Sequence, residues 1–289
     1  MRRFELLEPT TLREACATLV AAEDSRAVAG GTALLTLIKQ GVFVPKTLVN
    51  LKKISAADAI TYDPMKGLSV GALATIFAVE SSPLERRHYP VLAEACHVVA
   101  NIRIRNMATI GGNLAHGDYQ SDPPTALMAL DAAVELTSAA GTREVKLGDF
   151  LLGSYETALK PGELIAALRV PPPAGLRGSY IKFTTGSSEE RPCAGIAALA
   201  RIDGGVCREL RLAVGAVSPR PIRIHRAEEL ARGAVLALPL IAEAARLARA
   251  AVEPIDDLRG PADYKRHLVE VLVRRALSAL AENREGSQA

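Results

Sequence analysis

Two short segments carry residue types suited to holding an anionic ligand. Ala29-Gly30-Gly31-Thr32-Ala33-Leu34 opens the stretch AGGTALLTLIKQG, and Thr109-Ile110-Gly111-Gly112-Asn113 lies inside ATIGGNLAHG. Each sets a Gly-Gly pair among apolar residues. Glycine lets backbone amides approach a phosphate closely and adopts positive φ freely. The first segment feeds a predicted helix, so the N–H groups of Gly31, Thr32, Ala33 and Leu34 would point at a phosphate without any lysine. A tight strand-to-helix turn with Thr32 as N-cap accounts for the same residues. In the second segment the Thr109 hydroxyl suits a cap or a phosphate, and the Asn113 amide suits a polar ligand edge; an ordinary glycine-bearing loop is the alternative. The two pairs, about 80 residues apart, together suggest a ligand held between two subdomains, and a dinucleotide's diphosphate fits that need. Neither segment is GxGxxG, which disfavours the usual nicotinamide fingerprint.

The elements that must position these loops follow from pattern and caps. Thr10-Thr11 before LREACATLVAA predicts a capped amphipathic helix with Leu12, Ala15, Cys16 and Leu19 on one face. A strand at Arg26 to Ala29, a helix ALLTLIKQ closed by Gly41 and a strand at Thr47 to Leu51 make a short βαβ-like unit. Further on come the strand GLSVGA, a helix from Thr75, the helix PVLAEACHVVA, the helix TALMAL, and the strands AAVELTS, TREVKL and ELIAALRV. The triplet Pro171-Pro172-Pro173 reads as a linker. Beyond it YIKFTT, GIAALARI and CRELRLAVGAV read as strands, with Asp203-Gly204-Gly205 as a hairpin turn, and two or three helices close the chain. The fold class is α+β, with three expected parts: 1–57, 58–173, and 178–289 as a domain of antiparallel strands followed by helices.

Composition excludes some functions. The chain has 289 residues, 49% hydrophobic, enough for one large core or two to three smaller ones. A formal charge of +3, with 4% aromatics and no Trp, argues against a nucleic-acid binder. The start MRRFELLEPT lacks a signal-peptide apolar stretch, and no run of about 18 apolar residues occurs, so no transmembrane segment and a cytoplasmic location are expected. Cys16, Cys96, Cys193 and Cys207 are far apart and read as buried thiols rather than zinc or cluster ligands. His88, His97, His116, His225 and His267 show no ligand spacing; His116, just after the second glycine segment, is the one placed to approach a ligand there. No Ser/His/Asp or paired-carboxylate arrangement for hydrolysis is seen, and no catalytic residue is assigned.

AGGT-x-LL with TIGGN, preceded by NIRIRNMA, resembles the medium, FAD-binding subunit of the xanthine dehydrogenase and carbon monoxide dehydrogenase family, the molybdenum hydroxylases. The likeness runs from FELLEPTTLREA through PGELIAALRVP to GPADYKRHLVEVLVRRAL. It implies a two-subdomain FAD-binding domain of the type shared by p-cresol methylhydroxylase-like flavoproteins, followed by the family's C-terminal flavoprotein domain. It also implies that Ala29, Gly30, Gly31, Thr32, Ala33 and Leu34 wrap the FAD diphosphate, with Thr109, Ile110, Gly111, Gly112 and Asn113 opposite. Val99 and Ala100 would lie near the flavin. Asp122 would accept from a ribityl or ribose hydroxyl, or else cap the helix before Pro123. Ile165 would sit beside the isoalloxazine, and Lys182 would contact the cofactor, where a lone strand lysine is otherwise solvated.

The same resemblance implies a relay: a large subunit oxidises substrate at a molybdenum cofactor, a small one passes electrons through two 2Fe-2S clusters, and this one collects them on FAD, in a dimer of heterotrimers. A free-standing FAD oxidoreductase and a flavin-free scaffold subunit are the competing readings. One stretch departs from the family. TTGSSEERPCAGIA replaces an arginine-rich loop ending in Asp-Ile/Phe/Tyr-Ala, which leaves the electron acceptor open among NAD, a quinone, a ferredoxin-like carrier and oxygen.

Overall fold

A computed structural model describes residues 3–282, which fall into two compact units whose segments interleave along the chain. The first contains the chain up to Ser82 with Asn101–Gly117 and Ala132–Pro172; the second contains Pro83–Ala100, Asp118–Asp131 and the chain from Pro173.

In the first unit, β1 (Glu5–Leu7), β2 (Ser25–Val28) and β3 (Thr47–Asn50) form a parallel sheet in the order β1-β3-β2. α1 (Leu12–Ala21) joins β1 to β2, and α2 (Leu34–Lys39) joins β2 to β3. The Thr11 hydroxyl accepts the Glu14 N–H at 3.1 Å while Glu14 Oε2 accepts the Thr10 N–H at 2.8 Å, so two otherwise unpaired amides are satisfied where α1 begins. Ala15 and Cys16 of α1 are buried in a small core with Val49, Leu51, Ile54 and Leu164.

An antiparallel sheet follows, in the order β4 (Ile60–Asp63), β5 (Gly67–Gly71), β10 (Leu164–Val170), β6 (Ala133–Ser138) and β7 (Gly141–Lys146). Around it lie α3 (Ile76–Ser81), α6 (Ile102–Arg105), α7 (Ile110–His116), α9 (Leu147–Phe150) and the small hairpin of β8 (Leu151–Gly153) and β9 (Glu156–Thr157). The second glycine segment is therefore the first turn of a helix, α7, and not an irregular loop. Its two glycines are poor helix formers, and the Thr109 cap and packing against β10 and β9 override that preference.

The second unit contains α4 (Pro83–His88), α5 (Pro90–His97) and α8 (Asp122–Ala129). These join an antiparallel sheet of β11 (Arg177–Phe183), β12 (Ala194–Asp203), β13 (Val206–Gly215) and β14 (Ile222–Arg223). Gly204 and Gly205 take φ of 56° and 79° and close the β12–β13 hairpin in the tight turn that requires positive φ at both positions. α10 (His225–Ala231), α11 (Leu238–Ala251) and α12 (Ala262–Glu282) complete the unit. In α12 the buried residues Leu268, Val269, Leu272, Val273, Ala276, Leu277 and Leu280 recur at helical spacing and share one core with Ile196, Leu212 and Val214 of the sheet. Leu277 is fully buried there. Leu277→Ala is expected to cost about 3 kcal/mol through lost transfer energy and a cavity, read as a lower denaturant midpoint at unchanged slope. An unchanged midpoint would mean the α12 packing contributes little.

Candidate functional site

A cavity of about 650 Å³ lies within the first unit and gathers both glycine segments. Ala29, Gly30, Gly31, Thr32, Ala33 and Leu34 line it from one side, Thr109, Gly111, Gly112 and Asn113 from another, and Ile165 of β10 joins them. Ile110 does something different. It is fully buried, and its N–H donates to the Ala74 carbonyl at 2.9 Å, so it anchors the segment whose neighbours face the cavity.

The first segment is shaped by a close backbone approach. A Cβ on Gly30 would stand 2.1 Å from the Met107 carbonyl oxygen and 2.8 Å from Ala108 Cα, so only glycine fits. This contact ties the first segment to the residues leading into the second. α2 starts without a side-chain cap: Ala33, not Thr32, holds the N-cap position. The first backbone bonds run from the Leu35 N–H to Gly31 O and from the Leu37 N–H to Ala33 O. Among the described residues, the N–H groups of Thr32, Ala33 and Leu34 have no acceptor, and all three residues line the cavity.

The second segment is fixed by strand-like pairing with residues after β5. Thr75 and Thr109 form an antiparallel bridge, and the Gly111 N–H donates to Ala72 O at 2.9 Å. A Cβ on Gly111 would meet Ala72 Cβ at 2.5 Å and Ala72 O at 2.7 Å. Of the two roles open to the Thr109 hydroxyl, the cap is filled: it accepts the Gly112 N–H at 3.0 Å.

The remaining wall is largely apolar, with Leu51, Leu73, Leu159, Pro161 and Leu164, plus three charged side chains, Arg26, Lys160 and Glu163. Glu163 accepts two bonds from Arg143, each at 2.8 Å, and the Lys160 N–H at 2.8 Å; Arg143 above all holds its carboxyl below the usual range. His116, at the end of α7, lines the cavity, and its ring centroid is 5.2 Å from that of Tyr155.

Ala100, Asp122 and Lys182 belong to the second unit. There Lys182 is buried, not solvated: its Nζ donates to Asp122 Oδ2 at 3.1 Å and to the Val98 carbonyl at 2.7 Å. Asp122 is the first residue of α8, while Ser121 holds the N-cap position, and the Asp122 side chain turns to β11 instead of capping. Tyr180 donates its hydroxyl to Asp122 Oδ1 at 2.9 Å. Burial pushes the Asp122 carboxyl up to about 6, although Lys182 and Tyr180 both pull it down; desolvation outweighs the paired charge. The Tyr180 hydroxyl is pushed up by burial first and by the Asp122 charge second. Ala100 sits two residues beyond Val98 with φ of 41°, a left-handed backbone uncommon for alanine. Sequence reasoning passed over Tyr180; strand alternation puts residues 180 and 182 on one face, and that shared face is the signal that could have pointed to it. No motif pointed to Arg26 or Lys160.

A glycine-built cavity of this size, with unpaired backbone amides in an α+β frame, fits an anionic ligand of dinucleotide size. The sequence matches the family model described as the FAD binding domain in molybdopterin dehydrogenase over residues 2–173, and that of the CO dehydrogenase flavoprotein C-terminal domain over residues 183–280. It is 33% identical to the carbon monoxide dehydrogenase medium chain of Afipia carboxidovorans, over 95% of both chains. To the xanthine dehydrogenase FAD-binding subunit of Escherichia coli O157:H7 it is 29% identical, over 93% of this chain and 92% of the other. A chain of the quinoline 2-oxidoreductase structure from Pseudomonas putida 86 superposes with a TM-score of 0.93 at 31% identity, covering 98% of each chain. The chain belongs to the family of FAD-binding subunits of molybdenum hydroxylases, and it is an oxidoreductase subunit with FAD as its own cofactor. No helix among the described residues is long and apolar enough to cross a membrane.

Proposed function

We propose that this chain relays electrons from iron–sulfur clusters on a partner subunit to an external acceptor, with the cavity of the first unit holding FAD. The observation that carries the reading is the set of unpaired N–H groups at Thr32, Ala33 and Leu34 beside a loop in which Gly30 leaves no space for a side chain. When bound, FAD supplies the redox chemistry, accepting electrons singly and releasing two, while the protein supplies binding and electrostatics. The loop amides bind phosphate oxygens, Gly111 and Gly112 let the backbone come close from the second segment, and Ile165 packs against a ring system. The carboxylate in the lining, Glu163, is tied to Arg143 and so is poorly placed to act as a base on a substrate.

Substrate oxidation is assigned to a large partner subunit with the molybdenum cofactor, and the clusters to a small 2Fe-2S subunit, in a cytoplasmic dimer of heterotrimers. The substrate is then chosen on the large subunit. Ala100, Asp122 and Lys182 are proposed as further cofactor residues from the sequence resemblance. Lys182 spends two of its three N–H bonds on Val98 O and Asp122, which leaves one for a ligand.

Affinity purification of the tagged full chain tests the relay. The expected result is co-purification with two other chains, one carrying molybdenum and one iron, and flavin equimolar with this chain. Stripping the flavin should abolish acceptor reduction while the iron centres remain reducible. A chain that purifies alone, holds flavin and oxidises a small molecule unaided would instead favour the free-standing flavoprotein.

A further inference from the structure

We propose that Arg26 and Lys160, which lie outside both glycine segments, supply the positive charge for the cofactor's diphosphate and make the cavity select FAD over flavins without one. The inference rests on the reading that this cavity holds FAD. A diphosphate is a polyanion, and the open amides of Thr32, Ala33 and Leu34 offer only partial charges.

The charged side chains lining the cavity are Arg26, Lys160 and Glu163. The Glu163 charge is answered by Arg143, through paired bonds of 2.8 Å. Neither cation is answered in the same way: among the described residues, Arg26 and Lys160 make no ion pair. The cavity is therefore electropositive by the charge of these two groups, and a site of one sign concentrates ligands of the other.

Both groups are carried on fixed backbone. Arg26 is in β2, the strand that delivers Ala29 to Gly31, and its guanidinium lies 5.8 Å from the centroid of the Phe43 ring. Lys160 begins the turn Lys160-Pro161-Gly162-Glu163. That turn is closed by the Glu163 N–H on Lys160 O at 3.0 Å and by the Lys160 N–H on Glu163 Oε2 at 2.8 Å. Arg143 thus serves Lys160 indirectly: by holding Glu163 it fixes the turn and offsets a carboxylate whose charge Lys160 also feels.

The test uses the flavin-stripped full chain, titrated with FAD and with riboflavin at low and high salt. Against wild type stand Arg26→Gln, Lys160→Gln and the double variant, all changes to exposed side chains. The double variant is expected to raise the FAD Kd at least about tenfold at low salt and to flatten its salt dependence, with the riboflavin Kd unchanged. An FAD Kd and salt dependence equal to wild type overturns the inference, as does an equal loss for both flavins, which would mean general damage to the cavity. Failure of the underlying reading looks different: the wild-type chain itself would take up no FAD.

Discussion

Gly30→Val should yield a chain that folds with reduced stability and carries less than about a tenth of the flavin held by the wild type. The reason is geometric. A Cβ at position 30 would stand 2.1 Å from the Met107 carbonyl oxygen and 2.8 Å from Ala108 Cα, and both are backbone atoms that no rotamer change can move aside. Either the Ala29–Ala33 turn or the Met107–Ala108 segment must shift. The first displaces the open amides of Thr32, Ala33 and Leu34; the second displaces Thr109, the cap of α7. Both glycine segments therefore lose their spacing through one substitution. Overpacking of this kind costs about 1 to 3 kcal/mol in stability, too little by itself to empty a site in a chain that stays folded. Gly41→Ala separates the two effects. Gly41 has φ of 76° but nothing within 4 Å of its Cβ position, so that variant should lose about 1 kcal/mol to backbone strain and keep its flavin. The readout is flavin per chain from absorbance, alongside thermal unfolding. A Gly30→Val chain with full flavin content would show that the cradle does not depend on this contact.

Much of this architecture is legible in the sequence because it is written locally. The β2–α2–β3 crossing, the hairpin at Gly204-Gly205 and the apolar stripe of α12 each follow from a period or a turn residue within a short window. The two glycine segments could be read as ligand loops for the same reason, since close backbone approach demands a particular residue type. What local pattern does not contain is the partner of a buried face. Pro83–Ala100 and Asp118–Asp131 read as apolar helices, and nothing within them says that they pack with strands from the C-terminal part of the chain. Likewise, Thr109 has one hydroxyl and two plausible duties, and only the position of the Gly112 N–H shows that the cap is made, a bond that leaves the hydroxyl's own proton free to donate. Arg26 and Lys160 reach the cavity from a strand and a turn that no motif marks, because a flexible cationic side chain imposes no sequence signature on its neighbours.

The Asp122–Lys182 pair gives the second large effect, and the chain's stability should report it directly. Both side chains are almost fully buried, at 5% and 6% exposure, so removing either charge leaves the other without solvent to stabilise it. Lys182→Met is expected to cost about 3 kcal/mol at neutral pH, toward the low end for a broken buried pair, because Asp122 can take up a proton. Its carboxyl already lies near about 6 in the folded chain against an ordinary 3.8. A carboxyl raised on folding favours the folded state most below about pH 4, and that contribution, about 3 kcal/mol for such a difference, is lost as pH rises toward and through 6. Without the ammonium the carboxyl moves higher still, so in Lys182→Met the loss should continue above pH 6, where the wild type has levelled off. Removing both charges, as Asp122→Asn with Lys182→Met, should recover part of the stability and flatten the profile, since no uncompensated ion remains. Urea unfolding of the apo chain across this pH range measures all three curves without reference to activity. If Lys182→Met unfolds like wild type at every pH, the pair carries no net charge coupling. If stability shifts as described while flavin affinity and potential stay unchanged, the pair is structural and the proposed contact of Lys182 with the cofactor falls.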